Sequence, residues 1–222
     1  MPETRTLYSY WRSSAAYRVR IALNLKGLDY AITPVHLVRE GGEQHTREYR
    51  TLNPQQLVPT LVDGDNVIRE SLAIIEYLED AYPDTPRLLP CGALACARVR
   101  ALAQAVACDI HPIGNLRVLQ YLQRELGASD AQKLAWSRHW IETGFDAIET
   151  VLGAGGRKSV FCEGDVPTLA DCCLVPQVYN ARRFGVSLAR YPVINAIDAV
   201  CRGIEAFKLA APEVQADAPA AA

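Results

Sequence analysis

Two serines, Ser13 and Ser14, separate a short apolar run from a long one in Tyr10-Trp11-Arg12-Ser13-Ser14-Ala15-Ala16-Tyr17-Arg18-Val19-Arg20-Ile21-Ala22-Leu23. Residues 6–10 read as a strand. Residues 15–26 read as a helix that stops at Gly27, a residue suited to the left-handed position past a helix end. The hydroxyls therefore fall where the first backbone N–H groups of a helix lack partners and the helix dipole is positive. Such a position holds an anion, which here could be a carboxylate, a phosphate or a thiolate. Serine is also a favoured N-cap, and capping alone accounts for one of the two hydroxyls.

The elements that must carry this turn change character along the chain. Residues 30–35 read as a second strand and 43–52 as a short helix. Residues 60–63 and 66–68 flank Gly64 as a hairpin. Residues 71–82 read as a helix with Leu72, Ile75 and Leu78 inward and Glu76, Glu79 and Asp80 outward. The segment Pro83-Asp84-Thr85-Pro86-Arg87-Leu88-Leu89-Pro90 carries three prolines and marks a domain boundary. Every periodic segment beyond it is helical: 94–125, bent at His111-Pro112, then 130–152, 168–184, 192–203 and 205–211. Within Gly164-Asp165-Val166-Pro167-Thr168-Leu169-Ala170-Asp171, Thr168 reads as an N-cap with Asp171 reaching back, a capping box that serves folding.

The expected organisation is an α/β domain over 1–83, an all-α helical domain over 91–212 and a disordered tail over 213–222. Strand, helix, strand, helix, hairpin and helix is the plan of a thioredoxin-like unit. This chain lacks the C-x-x-C pair of such units, and Ser13 and Ser14 occupy the corresponding turn. A site of that kind without thiols of its own uses one carried by a ligand, for which glutathione is the natural candidate.

Composition narrows the remaining classes. The 222 residues are half hydrophobic and carry a net charge of -2, so nothing draws the chain to nucleic acid or to a membrane surface. No apolar run is long enough to span a bilayer. The start, Met1-Pro2-Glu3-Thr4-Arg5, lacks the apolar segment of a signal peptide. The seven cysteines are odd in number and several fall in apolar helical stretches. They read as reduced packing thiols of a cytoplasmic protein. No His, Cys and Asp cluster has metal-ligand spacing, so no metal is expected.

The chain resembles the zeta-class glutathione transferases, the family containing the maleylacetoacetate and maleylpyruvate isomerases. The likeness is carried by Tyr8-Ser9-Tyr10-Trp11-Arg12-Ser13-Ser14, Arg18-Val19-Arg20-Ile21-Ala22-Leu23, Leu52-Asn53-Pro54-Gln55, Val58-Pro59-Thr60-Leu61, Ser71-Leu72-Ala73-Ile74-Ile75-Glu76-Tyr77-Leu78, Leu169-Ala170-Asp171 and Leu174-Val175-Pro176-Gln177. Their shared order covers nearly the whole chain.

The resemblance implies a glutathione transferase fold, glutathione as cofactor, a dicarboxylate substrate and a homodimer. It implies Ser13 as the main partner of the glutathione sulfur, with Ser14 as helper or cap. Pro59 matches the family's cis-proline, which would turn the Val58 N–H and C=O toward the tripeptide like an added strand. Ser71 would cap its helix and hold the γ-glutamyl carboxylate. Glu70 would orient that loop or meet the ligand's ammonium, and Gln44 would be a further glutathione contact. His111 and Asn115 lie in a region that approaches glutathione in the family, in part across the dimer interface.

Arg12 and Arg183 would hold the substrate carboxylates, with Arg117 as a further cation, because guanidinium meets carboxylate through paired donors. Arg182 reads as a surface residue. Many zeta members carry cysteine where this chain has Ala15, which leaves a mechanism built on the glutathione thiolate. The implied reaction is isomerisation of maleylacetoacetate to fumarylacetoacetate in aromatic amino-acid catabolism. Maleylpyruvate isomerisation in aromatic acid degradation, general transferase or dehalogenase chemistry, and a non-catalytic binding module are the alternatives.

Overall fold

Alternation in Arg5-Thr6-Leu7-Tyr8-Ser9 sends Leu7 and Ser9 to one side of a strand and Tyr8 to the other. In the computed structural model, which describes residues 5–154 and 159–219, this strand is β1 (Arg5–Ser9). It pairs in parallel with β2 (Tyr30–Pro34) and antiparallel with β3 (Thr60–Asp63), which pairs antiparallel with β4 (Asn66–Arg69). The four-stranded sheet has the order β2-β1-β3-β4. Parallel neighbours require a crossover, and α1 (Ser14–Leu25) supplies it.

α1 packs against α3 (Ser71–Ala81) on the Ser9 side of the sheet. The short α2 (Arg47–Leu52) lies on the other side, where Tyr49 meets Tyr8 with ring centroids 6.0 Å apart. The expected helix over 43–52 is thus divided into a 3-10 turn, Glu43–His45, and α2. Thr46 forces the division, because its side chain accepts the Tyr49 N–H as an N-cap. Glu79, expected outward, instead forms a buried ion pair with Lys26 at 2.7 Å and accepts the Leu88 N–H. That pair fastens the proline-rich segment to the first unit.

The chain divides into two compact units, one holding residues up to Leu88 together with those from Gly203 onward, the other running from Leu89 to Arg202. The expected boundary of 91–212 therefore moves at its C-terminal side. α9 (Glu205–Ala210) returns to α1, where Asn24 and Arg20 donate to the Ala206 and Ala210 carbonyls. The expected disorder over 213–222 gives way for residues 213–219. Gln215 is buried there and donates to the Leu209 and Ala211 carbonyls at 3.0 and 2.9 Å. Residues 220–222 lie outside the described ones.

The second unit holds α4 (Ala93–Gln104), α5 (Leu116–Arg124), α6 (Asp130–Gly153), α7 (Leu169–Arg183) and α8 (Pro192–Gly203). The single helix expected over 94–125 is broken by a π-helical stretch, Ala105–Ile110, and a 3-10 turn, Pro112–Gly114. Pro112 has no N–H, and the His111 N–H reaches back five residues to the Val106 carbonyl at 2.9 Å. Gly144 on α6 admits the Ile110 side chain: a Cβ there would sit 2.2 Å from Ile110 Cδ1. Among the described residues, no helix is long and apolar enough to cross a membrane.

α7 is the core of this unit, buried without interruption from Leu169 to Val178. Its start is fixed by Asp171, which is fully buried and accepts from the Thr168 N–H, the Thr168 hydroxyl and the Cys162 N–H, each at 2.8 Å. Each buried donor left unpaired costs about 1–3 kcal/mol. Asp171→Ala should therefore lower unfolding free energy by at least about 2 kcal/mol, more than the roughly 1 kcal/mol of an ordinary N-cap. Denaturant unfolding measures this, and an Asp171→Ala loss no larger than that of Thr168→Ala would show that Asp171 does no more than cap.

Candidate active site

The topology gathers chemistry at one end of the sheet. Tyr8 registers with Thr60, and Thr60 with Arg69. The end of β1, the start of β3 and the end of β4 therefore coincide. Chain leaving or entering that end carries the turn with Ser13, the Val58–Pro59 peptide and the start of α3 at Ser71. Tyr10, Val35, Tyr49 and Val58 form the apolar cluster beneath, with Trp11 packed against it.

The Ser13 N–H donates to the Tyr10 carbonyl at 2.9 Å and closes a turn. Ser13 is the N-cap of α1, and its Oγ accepts the Ala16 N–H at 3.2 Å. A hydroxyl has one hydrogen to donate besides its acceptor lone pairs. Capping uses a lone pair, so the Ser13 O–H is left to donate to an anion. Ser14 is the first helical residue and is buried, so the cap is Ser13 and not Ser14. Arg12 is half-buried, with its guanidinium 5.2 Å from the Trp11 ring centroid.

Ser71 is the first residue of α3 and does not cap it; Glu70 holds the N-cap position. Ser71 is buried, and its Oγ accepts from Arg18 Nη1 at 3.1 Å. The same logic applies as at Ser13: an accepting oxygen leaves the O–H free to point at a carboxylate, here with a cation behind it. Glu70 is exposed and has φ 66, in the left-handed region. For a residue with a Cβ this conformation costs about 1–3 kcal/mol and is concentrated at ligand sites.

The Val58–Pro59 peptide is cis. Tyr49 and Asn53 donate to the Leu57 carbonyl, but among the described residues no group hydrogen-bonds the Val58 N–H or C=O. Gln44 is 7% exposed; its amide donates to the Leu37 carbonyl and faces His45 Nε2 at 3.0 Å. His45 Nδ1 in turn meets Gln56 Oε1 at 2.6 Å, which fits a ring protonated at Nδ1. The buried Gln44 Oε1 has no partner among the described residues. Gly42 leaves room for that amide: with φ 105, its Cβ would fall 2.5 Å from Gln44 Nε2. An unpaired buried acceptor and an open strand edge are what a peptide ligand would complete, so these residues fit glutathione.

The other expected residues lie in the second unit. His111 ends the π-helical stretch. Asn115 is the N-cap of α5 without a side-chain cap bond, and Arg117 is exposed in the first turn of that helix. All three lie at or just after one helix break. Arg183 is exposed at the end of α7, its guanidinium 4.8 Å over the Phe184 ring. Arg182, read as a surface residue, pairs with the fully buried Asp198, which also takes Arg202 at 2.9 Å. Burial pushes the Cys172 and Cys201 thiols up, away from nucleophilic thiolate. Packing does not account for every cysteine, since Cys91 and Cys108 are exposed.

Two site residues escaped sequence reasoning, Arg18 and Arg20. Both are buried, at 2% and 0% exposure. The signal was present in Ala16-Tyr17-Arg18-Val19-Arg20-Ile21, where charges two apart are enclosed by apolar residues. Two such positions lie 200° apart on a helix, so a helix covered on most sides must bury at least one of them.

Residues 7–86 match the family model of the glutathione S-transferase N-terminal domain. A probable maleylacetoacetate isomerase of Vibrio cholerae is 53% identical over 212 residues, 96% of this chain and 97% of that protein. A holo structure of a maleylpyruvate isomerase, a bacterial zeta-class glutathione transferase, is 51% identical with a TM-score of 0.93, covering 96% of this chain and all of that one. A maleylacetoacetate isomerase from Methylobacterium extorquens AM1, solved with malonate and glutathione bound, is 39% identical with a TM-score of 0.92, covering 97% and 100% of the two chains. Likeness of this extent over whole chains, together with the serine turn and cis-proline edge, places the protein in the zeta class of glutathione transferases, the family of the maleylacetoacetate and maleylpyruvate isomerases.

Proposed function

We propose that this protein is a glutathione-dependent cis–trans isomerase that converts maleylacetoacetate to fumarylacetoacetate. The observation that carries this is the Ser13 hydroxyl, which caps α1 through its oxygen and keeps its hydrogen for an anion at the helix N-terminus. When bound, glutathione supplies a thiolate that adds to the conjugated cis double bond, leaves a single bond free to rotate, and departs to give the trans product.

The protein's own residues set the conditions for that chemistry. Ser13 donates to the sulfur and, with the α1 N-terminus, favours thiolate over thiol. Lowering the thiol pKa by about two units takes about 2.7 kcal/mol. One charge-assisted hydrogen bond and the helix dipole supply energy of that size. Val58 offers its N–H and C=O to the tripeptide. Ser71, backed by Arg18, takes the γ-glutamyl carboxylate, and Glu70 faces the ammonium. Gln44 supplies a further acceptor, and His111 and Asn115 complete the glutathione contacts. Arg12, beside the turn, takes one substrate carboxylate and stabilises the charge that develops on the conjugated carbonyl. Arg183 takes the other carboxylate, and Arg117 adds a third cation.

Maleylpyruvate, the shorter diacid, is the second reading; the relatives named for each substrate stand at nearly equal identity, 53% and 51%. A homodimer in a reducing cytoplasm completes the reading; the seven cysteines are all free of disulfides. A glutathione-dependent isomerisation assay on both substrates tests the proposal. No turnover of either would reject it in favour of general transferase chemistry.

Three variants resolve the roles. Ser13→Ala should cut turnover at neutral pH by about 100-fold, because the bound thiol pKa rises by about two units. The loss shrinks as pH rises through the new pKa, where thiolate forms unaided, so the acidic limb of the pH–rate profile moves up. An unmoved limb would remove Ser13 as the activator. Arg18→Met should raise KM for glutathione about tenfold, equivalent to about 1.4 kcal/mol, with kcat at saturation little changed. An unchanged KM would show that Arg18 only packs. Arg183→Met should raise KM for the diacid by about 10- to 100-fold, the scale of one or two charge-assisted hydrogen bonds, while glutathione affinity measured by calorimetry stays as in the parent.

A further inference from the structure

The C-terminal segment reaches back to the serine turn. The Trp11 N–H donates to Asp217 Oδ2 at 2.9 Å across 206 residues of sequence. Trp11 is the second residue of the turn closed by Ser13 N–H and the Tyr10 carbonyl. Its own carbonyl takes Arg20 Nη2 at 3.0 Å. Both polar groups of Trp11 are therefore held, the N–H from the C-terminal segment and the C=O from α1. Arg12 and Ser13 follow directly.

The segment that presents Asp217 is itself fixed. Gln215 is buried and closes the end of α9 through the Leu209 and Ala211 carbonyls. The Ala218 N–H donates to the Gln215 carbonyl at 2.9 Å, forming the turn on which Asp217 stands. α9 is anchored to α1 by Arg20 Nε on the Ala210 carbonyl at 3.0 Å. Arg20, Ala210, Gln215, Asp217 and Trp11 thus form a closed circuit.

We propose that Asp217 is a positioning residue for the reaction: its carboxylate oxygen sets the Trp11 peptide and through it the aim of the Ser13 hydroxyl. This rests on the reading of Ser13 as the group that ionises the glutathione thiol. A carboxylate near that thiol would act in the opposite sense if its charge were what mattered, since a negative neighbour disfavours thiolate. Substitution therefore separates the two roles. Asn keeps an acceptor oxygen and removes the charge; Ala removes both.

The test uses full-length Asp217→Ala and Asp217→Asn. Four quantities are read: turnover, the pKa of bound glutathione from its ultraviolet thiolate absorbance, amide hydrogen exchange at Trp11 without glutathione, and melting temperature. Asp217→Ala should lower kcat about tenfold and raise the bound thiol pKa by about one unit, since each unit is tenfold in thiolate. It should also speed Trp11 exchange, while KM for glutathione holds within about twofold because Ser71 and Val58 are untouched. Asp217→Asn should restore kcat, thiol pKa and exchange to within about twofold of the parent.

Parental kcat and thiol pKa in Asp217→Ala would overturn the inference. So would a thiol pKa in Asp217→Asn below the parent's, which would make Asp217 a charge and not a support. Asp217→Asn as impaired as Asp217→Ala, with melting temperature lowered equally in both, would reduce Asp217 to a structural tie. The Ser13 reading fails separately: if Ser13→Ala leaves the bound thiol pKa unchanged, the premise is lost whatever Asp217 does.

Discussion

Arg20 is the charge on which the first unit is organised. Its guanidinium is fully buried and donates to the Ser9 hydroxyl and to the carbonyls of Tyr10, Trp11 and Ala210. Burial holds its pKa down at about 10, so it remains a cation at neutral pH. A buried cation is tolerable only when its donors are satisfied. Here the acceptors come from the strand end, the serine turn and the last helix. The requirement to satisfy one side chain thus joins residues 9–11 to a helix about 200 residues further along the chain. The turn inherits a fixed backbone from a group that takes no part in the chemistry.

The same economy of hydrogen-bond polarity recurs at both helix N-termini of the site. Ser13 accepts from a backbone N–H, and Ser71 accepts from Arg18. In each case a neighbour donates to the serine oxygen, and the hydroxyl keeps a hydrogen of its own to donate. Two serine hydroxyls stand at helix ends where the dipole is positive, which suits each position to a negative group. Between them the Val58 peptide presents an open edge. A tripeptide with a thiol in its middle and carboxylates at its ends matches that sequence of demands.

The second unit departs from regular helix where His111, Asn115 and Arg117 lie. The π-helical turn before His111 is a local departure that α6 accommodates only because position 144 has no side chain. Pro112 then ends the helix, and Asn115 begins the next without using its amide to cap it. His111 closes that break, Asn115 stands at the N-cap of the helix that follows it, and Arg117 lies in the first turn of that helix.

The sequence was sufficient for the order of elements, the thioredoxin-like plan, the helical second half and the serine turn, because these follow from local periodicity, turn residues and capping preferences. Its motifs also carried the family, and the expected residues Ser13, Val58, Pro59 and Ser71 all adjoin one end of the sheet. Local pattern was silent wherever a polar group's partner lay far along the chain. Arg18 meets Ser71, Arg20 meets Ala210, Glu79 meets Lys26 and Asp217 meets Trp11 across 53 to 206 residues. Those pairings decided the return of 203–219 to the first unit and the burial of two arginines in one helix. A residue's type fixes what it must satisfy; only the folded chain fixes which atom satisfies it.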